Sequence, residues 1–220
     1  MKIFLDTAIT SEVECYYKTG LIDGLTTNPS LIRKSGRNHE EVYQEMKDIG
    51  VTDISMEVIG SVSNMISEGK RLSKKFGKCA TIKVPCTPDG LIACKELSSE
   101  GIRVNVTLIF SVAQAILATK AGATYVSPFV GRLDDNSFDG IKLIKDIYEV
   151  YSIQAAEAEI LAASIRDVKS VSECFAAGAD IVTIPASVLG KMYNHVLTDK
   201  GLNIFDKDHA AHTLAMTSNK

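Results

Sequence analysis

The sequence predicts an α/β chain that folds as a single closed (β/α)8 barrel, and three observations lead there. Eight short apolar runs alternate with eight helix-like stretches over 220 residues, with no long linker or low-complexity segment between them. Glycines punctuate the alternation: Gly20, Gly50, Gly77, Gly101, Gly122 and Gly178 each close a helix-like stretch and precede an apolar run. Two such turns nearly repeat, Ala121-Gly122-Ala123-Thr124-Tyr125-Val126 and Ala177-Gly178-Ala179-Asp180-Ile181-Val182. Alternating strand and helix implies a parallel sheet covered by helices. Eight units without a break in composition favour closure into a barrel over an open doubly wound sheet.

The strands are expected at 3–6, 22–26, 53–58, 80–84, 103–107, 124–128, 158–163 and 180–184, each a short apolar run. Between them, Val42, Met46 and Ile49 share one helical face, as do Ile141, Ile144, Tyr148 and Tyr151. Ser111 with Gln114, and Ser170 with Glu173, read as capping boxes that start helices. Thr87-Pro88 places a cap ahead of a first-turn proline. Residues 1–220 are therefore expected to form one domain. Residues 199–220 remain as a tail, with a helix over 209–216, left over after closure and suited to packing on a neighbouring subunit.

Composition narrows the function classes. Hydrophobic residues make up 45% and charged residues 23%, with a net charge of −3. That balance gives no reason to expect nucleic acid or an anionic membrane as partner. An acid at Asp6 comes too early for a signal peptide, and no apolar run reaches transmembrane length. The five cysteines are odd in number and lack metal-ligand spacing, which points to free thiols in a reducing cytoplasm.

The candidate site lies at the C-terminal strand ends, where such barrels build their active sites. Lys83 stands out: a charged amine inside Ala80-Thr81-Ile82-Lys83-Val84-Pro85 is rare in a buried strand unless it is paired or does chemistry. Burial favours the neutral, nucleophilic amine and a nearby carboxylate favours the ammonium, so this segment alone leaves a structural and a catalytic role open. The other strands decide. Strand 1 ends in Asp6, strand 2 in Thr26-Thr27-Asn28, strand 3 carries Ser55 and Glu57, and strand 5 carries Asn105 and Thr107. Strand 6 carries Ser127 and leads through Phe129 to Arg132; strand 7 leads to Ser164 and Arg166; strand 8 offers only Thr183. Period two puts Ser55 with Glu57, Thr81 with Lys83 and Asn105 with Thr107 on the inner face, and Met56, Ile82, Val84 and Val106 on the outer.

Asp6 and Glu57 are two carboxylates available for proton transfer beside the amine. Arg132 and Arg166 leave adjacent strand ends, where a planar guanidinium suits a phosphate, and Ser164 adds a hydroxyl. Cys86 is read as a packing residue, since no histidine neighbours it in sequence. None of His39, His195, His209 and His212 falls on a strand end, so no metal site is expected. Neither a GxxxxGK[ST] loop nor a strand-borne GxGxxG is present.

Six segments together resemble the short transaldolases, a group that includes the fructose-6-phosphate aldolase-like proteins. They are Leu5-Asp6-Thr7, Thr26-Thr27-Asn28-Pro29-Ser30-Leu31, Ile82-Lys83-Val84-Pro85, Asn105 to Ser111, Ser127 to Arg132 and Ala163 to Arg166. They run in the family's order through most of the chain. The resemblance implies a TIM barrel and a class I mechanism without metal or other cofactor, acting on sugar phosphates. Lys83 would form an iminium with the ketose carbonyl, and Asp6 would serve as general acid–base during carbon–carbon cleavage. Glu57 and Thr107 would hold the water used in proton transfer. Asn28 and Asn105, helped by Thr26 and Ser127, would orient the lysine and the dihydroxyacetone portion. Arg132, Ser164 and Arg166 would bind phosphate.

Glu57 and Phe129 match the transaldolase branch, where the aldolase-like branch generally carries Gln and Tyr. The implied reaction moves a dihydroxyacetone unit from sedoheptulose 7-phosphate to glyceraldehyde 3-phosphate, giving erythrose 4-phosphate and fructose 6-phosphate. The alternatives are fructose-6-phosphate aldolase, which releases free dihydroxyacetone; a barrel that binds sugar phosphates without chemistry; and one that uses Lys83 only electrostatically. The resemblance also implies a ring-like homo-oligomer such as a decamer. The first and last helices, and Cys86 after the lysine segment, depart from the commoner pattern.

Overall fold

In the computed structural model, which describes residues 1–218, eight parallel strands close into a barrel in sequence order. They are β1 (Lys2–Asp6), β2 (Gly24–Thr26), β3 (Ile54–Glu57), β4 (Ala80–Pro85), β5 (Val104–Ile109), β6 (Tyr125–Pro128), β7 (Glu159–Ala162) and β8 (Ile181–Ile184). The helices are α1 (Thr10–Tyr17), α2 (Pro29–Ser35), α3 (His39–Ile49), α4 (Val62–Phe76), α5 (Pro88–Ser99) and α6 (Val112–Lys120). They continue as α7 (Val130–Asp134), α8 (Gly140–Gln154), α9 (Val168–Ala176), α10 (Ala186–Met192) and α11 (Val196–Ser218). The expected fold class holds, and every strand lies where the apolar runs placed it. Three helices exceed the one-per-strand count: α2, α7 and α11 are additions around and beyond the barrel mouth.

All six punctuating glycines have positive φ. Ser111 caps α6 by accepting from the Gln114 backbone N–H, and the Gln114 side-chain Oε1 accepts in turn from the Phe110 N–H. Thr87 caps α5 ahead of Pro88 as read. The expected Ser170 start is corrected: Asp167 caps α9, accepting from the Ser170 N–H at 2.9 Å, because a carboxylate three residues earlier supplies the same acceptor. On α8 the buried stripe is Leu143, Ile144, Ile147 and Tyr151; Tyr148 turns half out of the core.

Two apolar layers hold the barrel. The larger lies between strands and helices and contains Met56, Ile82, Val84 and Val106. The smaller fills the barrel itself with Phe4, Tyr125, Leu161, Ala163 and Ile181. Phe4 packs edge-on against Tyr125, and a side chain at Gly24 would meet the Phe4 ring at 2.7 Å, so β2 needs glycine there. The floor is tied by Asp53, which accepts from the hydroxyls of Thr81 and Tyr125 and from Arg103 at 2.5–2.8 Å. Thr81 thus bonds downward, not into the mouth as its strand face suggested.

The tail helix is much longer than the 209–216 stretch expected, running from Val196, and over residues 196–214 it lies almost wholly exposed. Residues 219–220 of the expected domain and tail lie outside the described residues. Among those described, no helix is long and apolar enough to cross a membrane.

Candidate active site

Register explains the site. Glu57 pairs across β3 and β4 with Lys83, which pairs across β4 and β5 with Asn105. One cross-section of the barrel therefore holds the amine between a carboxylate and an amide. Lys83 Nζ lies 3.0 Å from Glu57 Oε2 and donates to the Thr27 carbonyl at 2.8 Å. Both side chains are deeply set, 6% and 12% exposed, so water screens their attraction little.

Asp6 ends β1 opposite Thr26, whose hydroxyl contacts Asp6 Oδ1 at 2.8 Å and Thr183 at 2.7 Å. Burial pushes the Asp6 carboxyl above the usual aspartate range; Lys83 and the Thr26 hydroxyl pull it down without winning. A carboxyl shifted upward in this way is a stronger base when ionised and can return the proton it takes.

Asp6, Lys83, Thr26, Asn28, Thr107 and Ser127 line one cavity of about 110 Å³, and Phe129, Arg132 and Ser164 complete its outer side. Thr107 Oγ1 is the single buried side-chain oxygen or nitrogen without a hydrogen-bond partner among the described residues. A buried hydroxyl left so costs roughly 1–3 kcal/mol, and a ligand or water in the cavity would recover it. The backbone bends to present it: β5 is irregular between Val106 and Ile109, and Leu108 sits at φ 61°. Ser164 is also left-handed, at φ 60°, just past β7. Strain of this kind gathers at functional sites.

Three expected members sit elsewhere. Glu57 opens onto a second cavity, lined also by Tyr43, His39 and Glu68. Asn105 is fully buried below the cavity, and both ends of its amide are used, donating to Ser55 Oγ at 3.1 Å and accepting from Ser127 Oγ at 2.7 Å. Arg166 faces the neighbouring cavity and forks onto Asp135. Asn28 reaches the cavity, but its side-chain Oδ1 caps α2 by accepting from the Leu31 N–H.

Strand ends did not reveal the Thr27 carbonyl, since a backbone acceptor leaves no mark in side-chain chemistry. Leu161 and Ala163 line the cavity and carry no polar signal; Thr183, visible as the polar residue of its strand, has a role through Thr26.

Two of the phosphate candidates, Ser164 and Arg166, lie against the bare backbone of Gly131. A side chain at Gly131 would lie 2.2 Å from the Ser164 carbonyl, 3.0 Å from Arg166 Nε and 3.3 Å from Ser164 Oγ, so only glycine fits. The Arg132 guanidinium stacks 4.8 Å over the Phe129 ring, which tilts against Phe110.

No histidine lines the main cavity. His39 approaches Glu40 and Glu68, but Arg71 pairs with both carboxylates and Lys75 with Glu40. Cys86 packs half-buried against the core, and burial raises its thiol pKa, which disfavours the thiolate.

Comparison with known proteins gives one answer. Residues 3–220 match the family described as transaldolase/fructose-6-phosphate aldolase. The chain is 53% identical over 211 residues to a probable transaldolase of Paracoccus denitrificans (strain Pd 1222), covering 96% of this chain and 97% of that protein. It is 52% identical to one of Caulobacter vibrioides (strain NA1000 / CB15N) over 96% and 97%. It is 47% identical to one of Lactiplantibacillus plantarum (strain ATCC BAA-793 / NCIMB 8826 / WCFS1), again over 96% and 97%.

Proposed function

This chain belongs to the transaldolase/fructose-6-phosphate aldolase family, and on that premise we propose that it acts as a transaldolase through a Schiff base on Lys83. The carrying observation is the buried amine 3.0 Å from Glu57, in a cavity it shares with the carboxyl of Asp6.

Glu57 takes the ammonium proton, and the free Lys83 amine attacks the carbonyl carbon of a ketose phosphate. The carbonyl oxygen leaves as water, taking one proton from the attacking nitrogen and one returned by Glu57, and an iminium remains on Lys83. Asp6 then accepts the proton of the sugar hydroxyl beside the bond to be cut. The bond's electrons move to the iminium nitrogen, an aldose phosphate departs, and an enamine remains on Lys83. An incoming aldehyde meets the enamine carbon while Asp6 protonates its oxygen; water then releases the new ketose. The partnerless Thr107 hydroxyl suits the water or sugar oxygen that these steps need. Arg132, Ser164 and Arg166 take the phosphate.

Transfer is favoured over release by Phe129. Its ring packs on Phe110 beneath Arg132, an apolar corner that offers the enamine no hydroxyl to order a protonating water. With fructose 6-phosphate and erythrose 4-phosphate present, transfer is expected to exceed formation of free dihydroxyacetone by at least about tenfold. Release matching transfer would overturn the choice in favour of the aldolase reading.

The exposed Leu202, Ile204 and Phe205 of α11 support a second copy of the chain as cover for the tail. Light scattering of the full chain tests this: a homo-oligomer is expected, and a monomer would refute it.

A further inference from the structure

The two candidate phosphate arginines stand in different electrostatic states. Arg132 rests on an aromatic ring, and no carboxylate pairs with it among the described residues. Arg166 is already engaged, its two terminal nitrogens on the two oxygens of Asp135, in a pair about half exposed. Ser164 lines both cavities and lies between them.

Three carboxylates surround Arg166: Asp134, Asp135 and Asp167. Two have structural duties. Asp134 accepts from the Gly140 N–H at 3.0 Å, and Asp167 caps α9. Asp135 Oδ1 and Oδ2 meet Arg166 instead, so of the three this carboxylate can let go without uncapping a helix.

We propose that Asp135 is an internal competitor for phosphate, a stand-in that occupies the Arg166 fork until a substrate phosphate displaces it. The inference rests on the reading of Arg166 as a phosphate ligand. A carboxylate presents the same bidentate face to a guanidinium as a phosphate does, so it takes up the fork that a phosphate would use. A phosphate dianion reaching Arg132 and Ser164 at the same time outcompetes it. A neutral sugar does not, and leaves the pair closed. Exposed ion pairs contribute little, so the displacement is easy and the site stays readily reversible.

The test uses the full-length enzyme at fixed ionic strength, with inorganic phosphate as competitive inhibitor. In Asp135→Asn the inhibition constant for phosphate is expected to fall two- to fivefold, equivalent to about 0.4–1 kcal/mol. KM should fall for phosphorylated donors, with KM for an unphosphorylated ketose donor such as fructose unchanged. Arg166→Ala is expected to raise the phosphate constant about tenfold or more, and Arg166→Ala/Asp135→Asn to match Arg166→Ala. Unchanged or weaker phosphate inhibition in Asp135→Asn, with Arg166→Ala still impaired, would sink the role of Asp135 and leave the phosphate reading standing. A gain that survives in the double variant would also overturn it, since Asp135 would then act by diffuse charge. Normal inhibition in Arg166→Ala would sink the phosphate reading itself.

Discussion

Replacing Lys83 with methionine is expected to cut transfer activity by at least about 10³-fold, because the covalent route disappears with its nucleophile. Borohydride reduction in the presence of fructose 6-phosphate should add one reduced sugar adduct to Lys83 in the unaltered enzyme and none in the variant, read by mass spectrometry of peptides. The variant carries a structural cost of its own. Glu57 is 12% exposed and would lose its cation, and an unpaired buried carboxylate is strongly destabilising. Lys83→Met/Glu57→Gln removes both charges and keeps the volume, so it should fold at least as well as the single variant and be equally inactive. An adduct on another lysine, or activity within about tenfold of the unaltered enzyme, would refute the Schiff-base proposal and leave Lys83 an electrostatic residue.

Much of this architecture could be read from the chain because its parallel strands are buried on both faces and therefore appear as unbroken apolar runs. Against that background Lys83 and its period-two partner Thr81 stand out. Depth was harder to read. Ser55 and Thr81 share an inner face with Glu57 and Lys83, yet they sit one layer lower, where Thr81 ties the Asp53 floor and Ser55 holds Asn105. Alternation reports which face a residue takes and not whether its hydrogen bonds run toward a substrate or a neighbour. Asn105 illustrates the difference: an amide at a strand end looks available to a ligand, but Ser55 and Ser127 use both of its ends. Arg166 illustrates another, since its partner Asp135 stands 31 residues away and no local pattern links them. The Asp53 network with Arg103 and Tyr125 depends on similarly distant contacts.

Replacing Asp6 with asparagine is expected to lower turnover by about 10²–10⁴-fold, the range a positioned general acid–base supplies. Asparagine keeps an oxygen to accept from the Thr26 hydroxyl, so the local geometry should survive. It cannot take a proton from the sugar hydroxyl. In the proposed mechanism Schiff-base formation depends on Lys83 and Glu57, so borohydride is expected still to trap fructose 6-phosphate on Lys83 in this variant while cleavage stalls. Stability should move the other way. Burial raises the Asp6 pKa above the ordinary value of 3.8, so from that pH upward the folded state holds a proton that the unfolded chain has lost. Folding stability therefore falls as pH rises through that window, until Asp6 ionises in the folded state as well. Asparagine does not titrate, so the variant should lose less stability between acid and neutral pH than the unaltered enzyme. Denaturant unfolding at a series of pH values measures this. A variant that keeps turnover within about tenfold would remove Asp6 from the mechanism. One that loses both trapping and stability would show instead that the carboxylate holds the site together.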